Sequence, residues 1–225
     1  MVALNLIMLG APGAGKGTQA ERIAAARGIP KVSTGDILRE AVQAGTEIGR
    51  RAKAIMDRGE LVPDEVVIAI VRDRLDRQDA RAGFVLDGFP RTVAQARALD
   101  GLFVGRDPLV VIDVAVPESE LVRRLTTRLV CSKCGANADP GAVSPTSCPR
   151  CSGPLVQRAD DNQATVLQRL KVYERDTKPL LDYYRARPTF RAINGAQSPD
   201  RVAADVMAAL EELVGRAAAS GGGAA

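Results

Sequence analysis

The segment Gly10-Ala11-Pro12-Gly13-Ala14-Gly15-Lys16 follows directly on an apolar run at 3–9, and it narrows the possible folds more than any other feature. Its spacing, Gly-x4-Gly-Lys, is that of a phosphate-binding loop. Small residues let consecutive backbone N–H groups curl around an anion. The helix that follows adds the positive end of its dipole, and the lysine reaches the outer phosphates. The motif works only between a buried strand and a helix, so a strand at 3–9 and a helix at 15–27 are predicted. Gly17 stands where the general pattern has Ser or Thr, and Thr18 follows it. Without a ligand, the same residues would make an ordinary glycine-rich turn.

Further short apolar, β-branched runs lie at 31–33, 83–87, 109–116 and 189–194. Helical periodicity falls between them, near 37–44, 48–58, 63–77, 92–103, 118–129, 163–185 and 199–214. Near-continuous apolar strands alternating with helices predict an α/β fold, a parallel five-stranded sheet covered on both faces. In such sheets ligands bind beyond the carboxyl ends of the strands. Two segments interrupt the alternation. Residues 34–62 form a helical insert, and 129–161 carry all four cysteines. The core is then 1–33, 63–128 and 162–215, and the Gly- and Ala-rich residues 216–225 are expected to be a disordered tail.

No run reaches the roughly 18 apolar residues of a membrane span, and the apolar start lacks a basic leader, so a cytoplasmic protein is expected. The net charge of +4 is mild and does not by itself point to nucleic acid. The chain has no histidine, which excludes imidazole bases and imidazole metal ligands. Any chemistry at the phosphate loop must therefore run without an imidazole.

Cys131-x2-Cys134 and Cys148-x2-Cys151 are separated by 13 residues, a spacing that suits four thiolates on one tetrahedral zinc ion. Two disulfides are the alternative, disfavoured in a reducing compartment. Four protein ligands would close the coordination shell, making the zinc structural.

Gly-Ala-Pro-Gly-Ala-Gly-Lys-Gly-Thr at 10–18 resembles the loop of adenylate kinases and their nucleoside-monophosphate kinase relatives. The resemblance continues in family order through Ser33-Thr34-Gly35-Asp36-Ile37-Leu38-Arg39, Asp87-Gly88-Phe89-Pro90-Arg91-Thr92 with Gln95, and Gln157-Arg158-Ala159-Asp160-Asp161-Asn162. It implies catalytic roles for Lys16, Arg91, Arg128, Arg158 and Arg169. It implies ATP binding by Gly13, Ala14, Gly15, Lys16, Gly17, Thr18, Arg124, Arg128 and Gln197. AMP binding would fall to Thr34, Arg39, Leu61, Val62, Gly88, Arg91, Gln95, Arg158 and Arg169. Asp87 would act on Mg²⁺ through water, and the four cysteines would hold zinc in a mobile lid. The partners implied are ATP, AMP and ADP, with neither nucleic acid nor membrane, for a monomer. Where the family commonly has Gly-Arg-Arg at the lid entrance, this chain has Thr127-Arg128-Leu129.

Other readings stay open on the residues alone. Arg124 and Arg128 fit a solvated helix face beside Leu121, Leu125 and Leu129. Asp160-Asp161 fits a solvated turn. A UMP/CMP-type kinase of the same fold shares the motifs. A zinc-ribbon, nucleic-acid-binding ATPase is the reading from another class, but its ribbon would offer only Lys133 and Arg150 as cations and no aromatic side chain.

Overall fold

The computed structural model describes residues 3–104, 109–138 and 146–221. Five strands form one parallel sheet, β1 (Leu4–Leu9), β2 (Lys31–Ser33), β3 (Gly83–Asp87), β4 (Leu109–Ala115) and β7 (Phe190–Asn194), in the order β2-β3-β1-β4-β7. All six residues of β1 are buried because both sheet faces are covered. Alternate side chains point to opposite faces. Leu6 and Met8 enter a core with α1 (Lys16–Arg27), α6 (Glu118–Thr126), α7 (Gln163–Val172) and α9 (Pro199–Gly221). Ile7 and Leu9 enter the other, with α2 (Thr34–Gln43), α4 (Asp64–Leu75), α5 (Val93–Leu102) and α8 (Pro179–Tyr184). Among the described residues no helix is long and apolar enough to cross a membrane.

The expected insert consists of α2 and α3 (Glu47–Asp57), pressed together at Gly49, where an added Cβ would lie 2.0 Å from Ala41 O. Only glycine permits that approach. The cysteine-bearing segment forms an antiparallel pair, β5 (Leu129–Cys131) and β6 (Leu155–Gln157), with Cys131 opposite Leu155.

Three boundaries differ from expectation. The helix predicted to reach 129 ends at Thr126, and Leu129 opens β5 instead, so Arg128 lies in the connection between them. The helix predicted over 163–185 is broken by a π-helical turn, Tyr173–Thr177, just before Pro179, which cannot donate to the ladder. The tail expected from 216 continues α9 to Gly221, where Ala217, Ala218 and Ala219 are the best helix formers available. The rest of that tail lies outside the described residues.

Candidate active site

The loop between β1 and α1 lies at the carboxyl edge of the sheet. Gly10, Gly13 and Gly15 have φ of 132°, 85° and 93°, and a Cβ on Gly10 would meet Val114 O at 2.6 Å. These left-handed values turn the backbone of Gly13, Ala14 and Gly15 ahead of the α1 N-terminus. Lys16 Nζ donates to Ala11 O at 2.8 Å. Burial lowers its pKa from the ordinary lysine value to about 8; Asp87 opposes this, while Arg91, Arg169 and Arg128 push the same way. Asp87 closes β3, in register with Met8 of β1 and Ser33 of β2. Gly17 faces it, since a Cβ there would lie 3.0 Å from Asp87 Oδ2. A side chain in place of Gly17 would press on the aspartate.

Beside this loop, α2, the α3–α4 connection and α7 enclose a pocket. Thr34, Arg39, Leu61, Val62, Gly88, Arg91, Gln95 and Arg169 all line it, with Glu60 and Asp160. Eight of the nine residues expected to hold AMP thus converge; Arg158 alone is outside the lining. Ser33 caps α2 by accepting from Asp36 N at 3.3 Å, which sets Asp36 on the first turn and Arg39 three residues on, on the same face. Arg39 Nη2 donates to Asp36 Oδ1 at 2.5 Å. Arg91 is fixed from several sides. Its Nε donates to Gly88 O at 2.9 Å and its backbone N–H to Gln95 Oε1 at 2.7 Å, while its carbonyl accepts from Thr177 Oγ1 at 2.9 Å. Gln95 Nε2 in turn donates to Asp64 Oδ1 at 2.7 Å, so Asp64, which no motif flagged, sets the orientation of the Gln95 amide.

A second set of cations faces the pocket and the loop. Arg128 grips Asp161 with both forks, Nε at 2.8 Å and Nη2 at 2.7 Å, and Arg169 Nη1 reaches the same carboxylate at 2.9 Å. Asp161 is 0% exposed, so Asp160-Asp161 is no solvated turn, and Arg128 is no solvated helix face. Burial, together with Arg39 and Arg128, lowers the Arg158 pKa to about 10, and burial with Arg169 does the same for Arg91. Side chains this mutually repulsive, gathered in one place, form a strong anion site. Arg124 turns aside. It donates to Glu120 Oε2 at 2.9 Å and to Gly195 O at 3.1 Å, beside the β7–α9 connection that carries Gln197. Gln197 Nε2 donates to Asn194 O and Asp205 Oδ2, each at 2.9 Å. Sequence reasoning also passed over Lys31, whose Nζ lies 3.9 Å from Asp87, and Asp113, a buried carboxylate on β4 whose pKa burial raises.

Two matching knuckles carry the cysteines. Gly135 N donates to Cys131 O at 3.0 Å and Ser152 N to Cys148 O at 2.8 Å, and both residues have left-handed φ, 70° and 55°. The four sulfur atoms all lie within 4.8 Å of one another, Cys131–Cys151 at 3.4 Å and Cys134–Cys148 at 3.6 Å. A tetrahedron of Zn–S bonds has edges of about 3.8 Å, so the sulfurs fit one zinc ion and are too far apart for disulfide bonds of about 2.05 Å. The segment is folded over the core, with Arg150 paired to Glu21 of α1 and Asn137 approaching Gly17.

A phosphate loop at the edge of a parallel sheet, with an arginine-lined pocket beside it and a cysteine-bearing segment folded over it, defines the class: a P-loop nucleotide phosphotransferase. The family model described as adenylate kinase matches residues 8–189. The chain is 49% identical over 215 residues to an adenylate kinase of Archaeoglobus fulgidus, covering 93% of this chain and 99% of the relative. It is equally 49% identical to adenylate kinases of Rhizobium etli, over 93% of this chain and 100% of the relative, and of a Geobacillus species, over 94% and 99%. The chain belongs to the adenylate kinase family.

Proposed function

We propose that the chain performs its family's reaction, reversible transfer of the terminal phosphoryl group of ATP to AMP giving two ADP, with the residues gathered here in the following roles. The observation that carries the assignment of roles is the convergence of Thr34, Arg39, Arg91, Gln95 and Arg169 on one pocket beside Lys16. Glycines 13, 15 and 17 with Ala14, Lys16 and Thr18 hold the ATP phosphates, and Arg124 and Gln197 belong to the ATP site. Arg39 and Arg91 grip the AMP phosphate, with Leu61, Val62 and Gly88 against the nucleoside. Arg128, Arg158 and Arg169 spread the charge of the moving group. Phosphoryl transfer depends on positioning and charge neutralisation, and no side chain need take a proton.

Asp87, an oxygen ligand facing Gly17, suits a hard cation and would hold Mg²⁺ through water. Bound there with ATP, the cation would offset the negative charge of the phosphates. Cys131, Cys134, Cys148 and Cys151 hold a structural Zn²⁺ that replaces a hydrophobic core in a segment too short to build one. Backbone N–H groups of Cys134 and Lys133 lower the Cys131 thiol while the neighbouring sulfurs push the Cys134 thiol up, so four thiolates this close need a cation among them. Residues 34–62 serve as the monophosphate-binding unit and 129–161 as the lid on a core that works as a cytoplasmic monomer.

The test is a coupled assay of ADP formation from ATP with AMP, CMP, UMP or GMP as acceptor. AMP is expected to be preferred by kcat/KM, and Lys16→Ala to lose on the order of 100-fold or more. Preference for CMP or UMP would transfer the chain to the pyrimidine branch. A folded Lys16→Ala enzyme with near-normal turnover would overturn the loop assignment.

A further inference from the structure

We propose that Lys31 is a positioning residue that sets both how tightly the nucleotide-bound Mg²⁺ is held and how freely Arg39 can grip the acceptor phosphate. Lys31 opens β2 and its side chain is 22% exposed, in the gap between the phosphate loop and the acceptor pocket. Its Nζ lies 3.5 Å from Asp36 Oδ2 and 3.9 Å from Asp87 Oδ2. The other oxygen of Asp36 holds Arg39 Nη2. The result is an alternating chain of charges, Arg39–Asp36–Lys31–Asp87, that runs from the acceptor pocket to the metal aspartate. A Cβ on Gly17 would lie 3.8 Å from Lys31 Nζ and 3.0 Å from Asp87 Oδ2, so the ammonium group lies beside the space where the cation would approach Asp87. Among the described residues, Lys31 is the one cation within 4.0 Å of Asp87.

Two consequences of opposite sign follow. A fixed positive charge beside Asp87 repels a divalent cation and competes for the same carboxylate, so removing it tightens metal binding. At the other end, Lys31 and Arg39 share Asp36, whose carboxyl is held down at about 2 against burial by Arg39, Lys31 and Ser33. Without Lys31, Asp36 turns wholly to Arg39 and leaves that guanidinium less available to phosphate. The lysine therefore trades metal affinity for acceptor affinity.

This inference rests on the roles of Asp87 and Arg39 given above, and its test separates the two. Lys31→Gln and Lys31→Met, the latter keeping the apolar stem, remove the charge, and Lys31→Arg keeps it. Mn²⁺ binding to the enzyme–ATP complex without AMP is read from the EPR signal of free Mn²⁺. The KM for AMP is measured separately at saturating metal and ATP. In both neutral variants Mn²⁺ binding is expected to tighten by about 3- to 10-fold while the KM for AMP rises by about 3-fold. Lys31→Arg stays within about 2-fold of the parent in both. A merely structural loss would not tighten metal binding. Unchanged Mn²⁺ affinity in whichever neutral variant folds, weaker Mn²⁺ binding, or identical behaviour of the Arg and neutral variants overturns the proposal. Failure of the parent chain to make ADP from ATP and AMP would instead overturn the functional reading beneath it.

Discussion

Arg91 is held by three backbone contacts and faces the acceptor pocket, so its geometry can be tested apart from its charge. Lysine would keep the charge and lose the planar fork and the Nε contact to Gly88. Arg91→Lys is expected to lower kcat/KM for AMP by at least about 10-fold, about 1.4 kcal/mol of transition-state binding. A variant indistinguishable from the parent would mean that Arg91 acts as a point charge or not at all. Lys16 tests charge itself. With its pKa brought down to about 8 by burial, it is charged below that pH and neutral above it. Because kcat/KM for ATP reports the free enzyme, it should fall as pH rises through about 8, a limb that Lys16→Arg should remove. A flat profile to pH 10 would contradict the burial of Lys16.

At the scale of elements, the lid is the part whose stability comes from outside the hydrophobic core. Its described apolar burial amounts to Val130 with Cys131 and Cys148, and its two knuckles converge on the sulfur cluster, with Ser132 N donating to Pro154 O beside it. Metal analysis of protein purified without chelator should find one Zn²⁺ per chain. Replacing Cys148 by Ser, or stripping the metal, should unfold 131–151 while the sheet remains, because the sheet's two cores draw nothing from those residues. Turnover should fall further than ATP affinity, since Arg128 at the lid entrance and Arg158 within the lid act once water is excluded. Unchanged melting and turnover in Cys148→Ser would show that the metal site has no part in closure.

At the scale of the whole molecule, Asp161 is the junction. It takes Arg128 from the lid entrance and Arg169 from α7, and its carbonyl accepts from Gln157 Nε2 of β6 at 3.2 Å. Removing a buried charge that serves two cations costs about 3 kcal/mol. For a chain of this length Asp161→Asn should therefore lower Tm by roughly 10 °C. The kcat should drop with it, as Arg128 and Arg169 lose their common anchor. A normal Tm would show that the two arginines find other partners.

How much of this was legible beforehand depended on the range of the signal. The phosphate loop, the sheet strands and the paired cysteines are local patterns: glycines where φ must be positive, apolar runs where both faces are covered, fixed spacing where two turns must meet. They can be read because each is enforced within a few residues, and the acceptor-pocket residues were found because they travel in compact motifs. The helix end at Thr126 was misplaced because Arg128 and Leu129 continue the periodicity, and only the pairing of Leu129 with Gln157 takes them out of it. Asp64 and Lys31 carry no local signature, and the motif around Asp161 does not say what its carboxylate holds. An acidic pair is a solvated turn until Arg128 and Arg169, 33 and 8 residues away, arrive on the same carboxylate. A lysine at a strand start is unremarkable until β2 and β3 set it beside Asp87. The sequence by itself determined which chemistry the chain can perform, because that needs residue types at short spacings. Only the tertiary structure decided which charges meet, because Coulomb interactions depend on distance in space and are blind to distance along the chain.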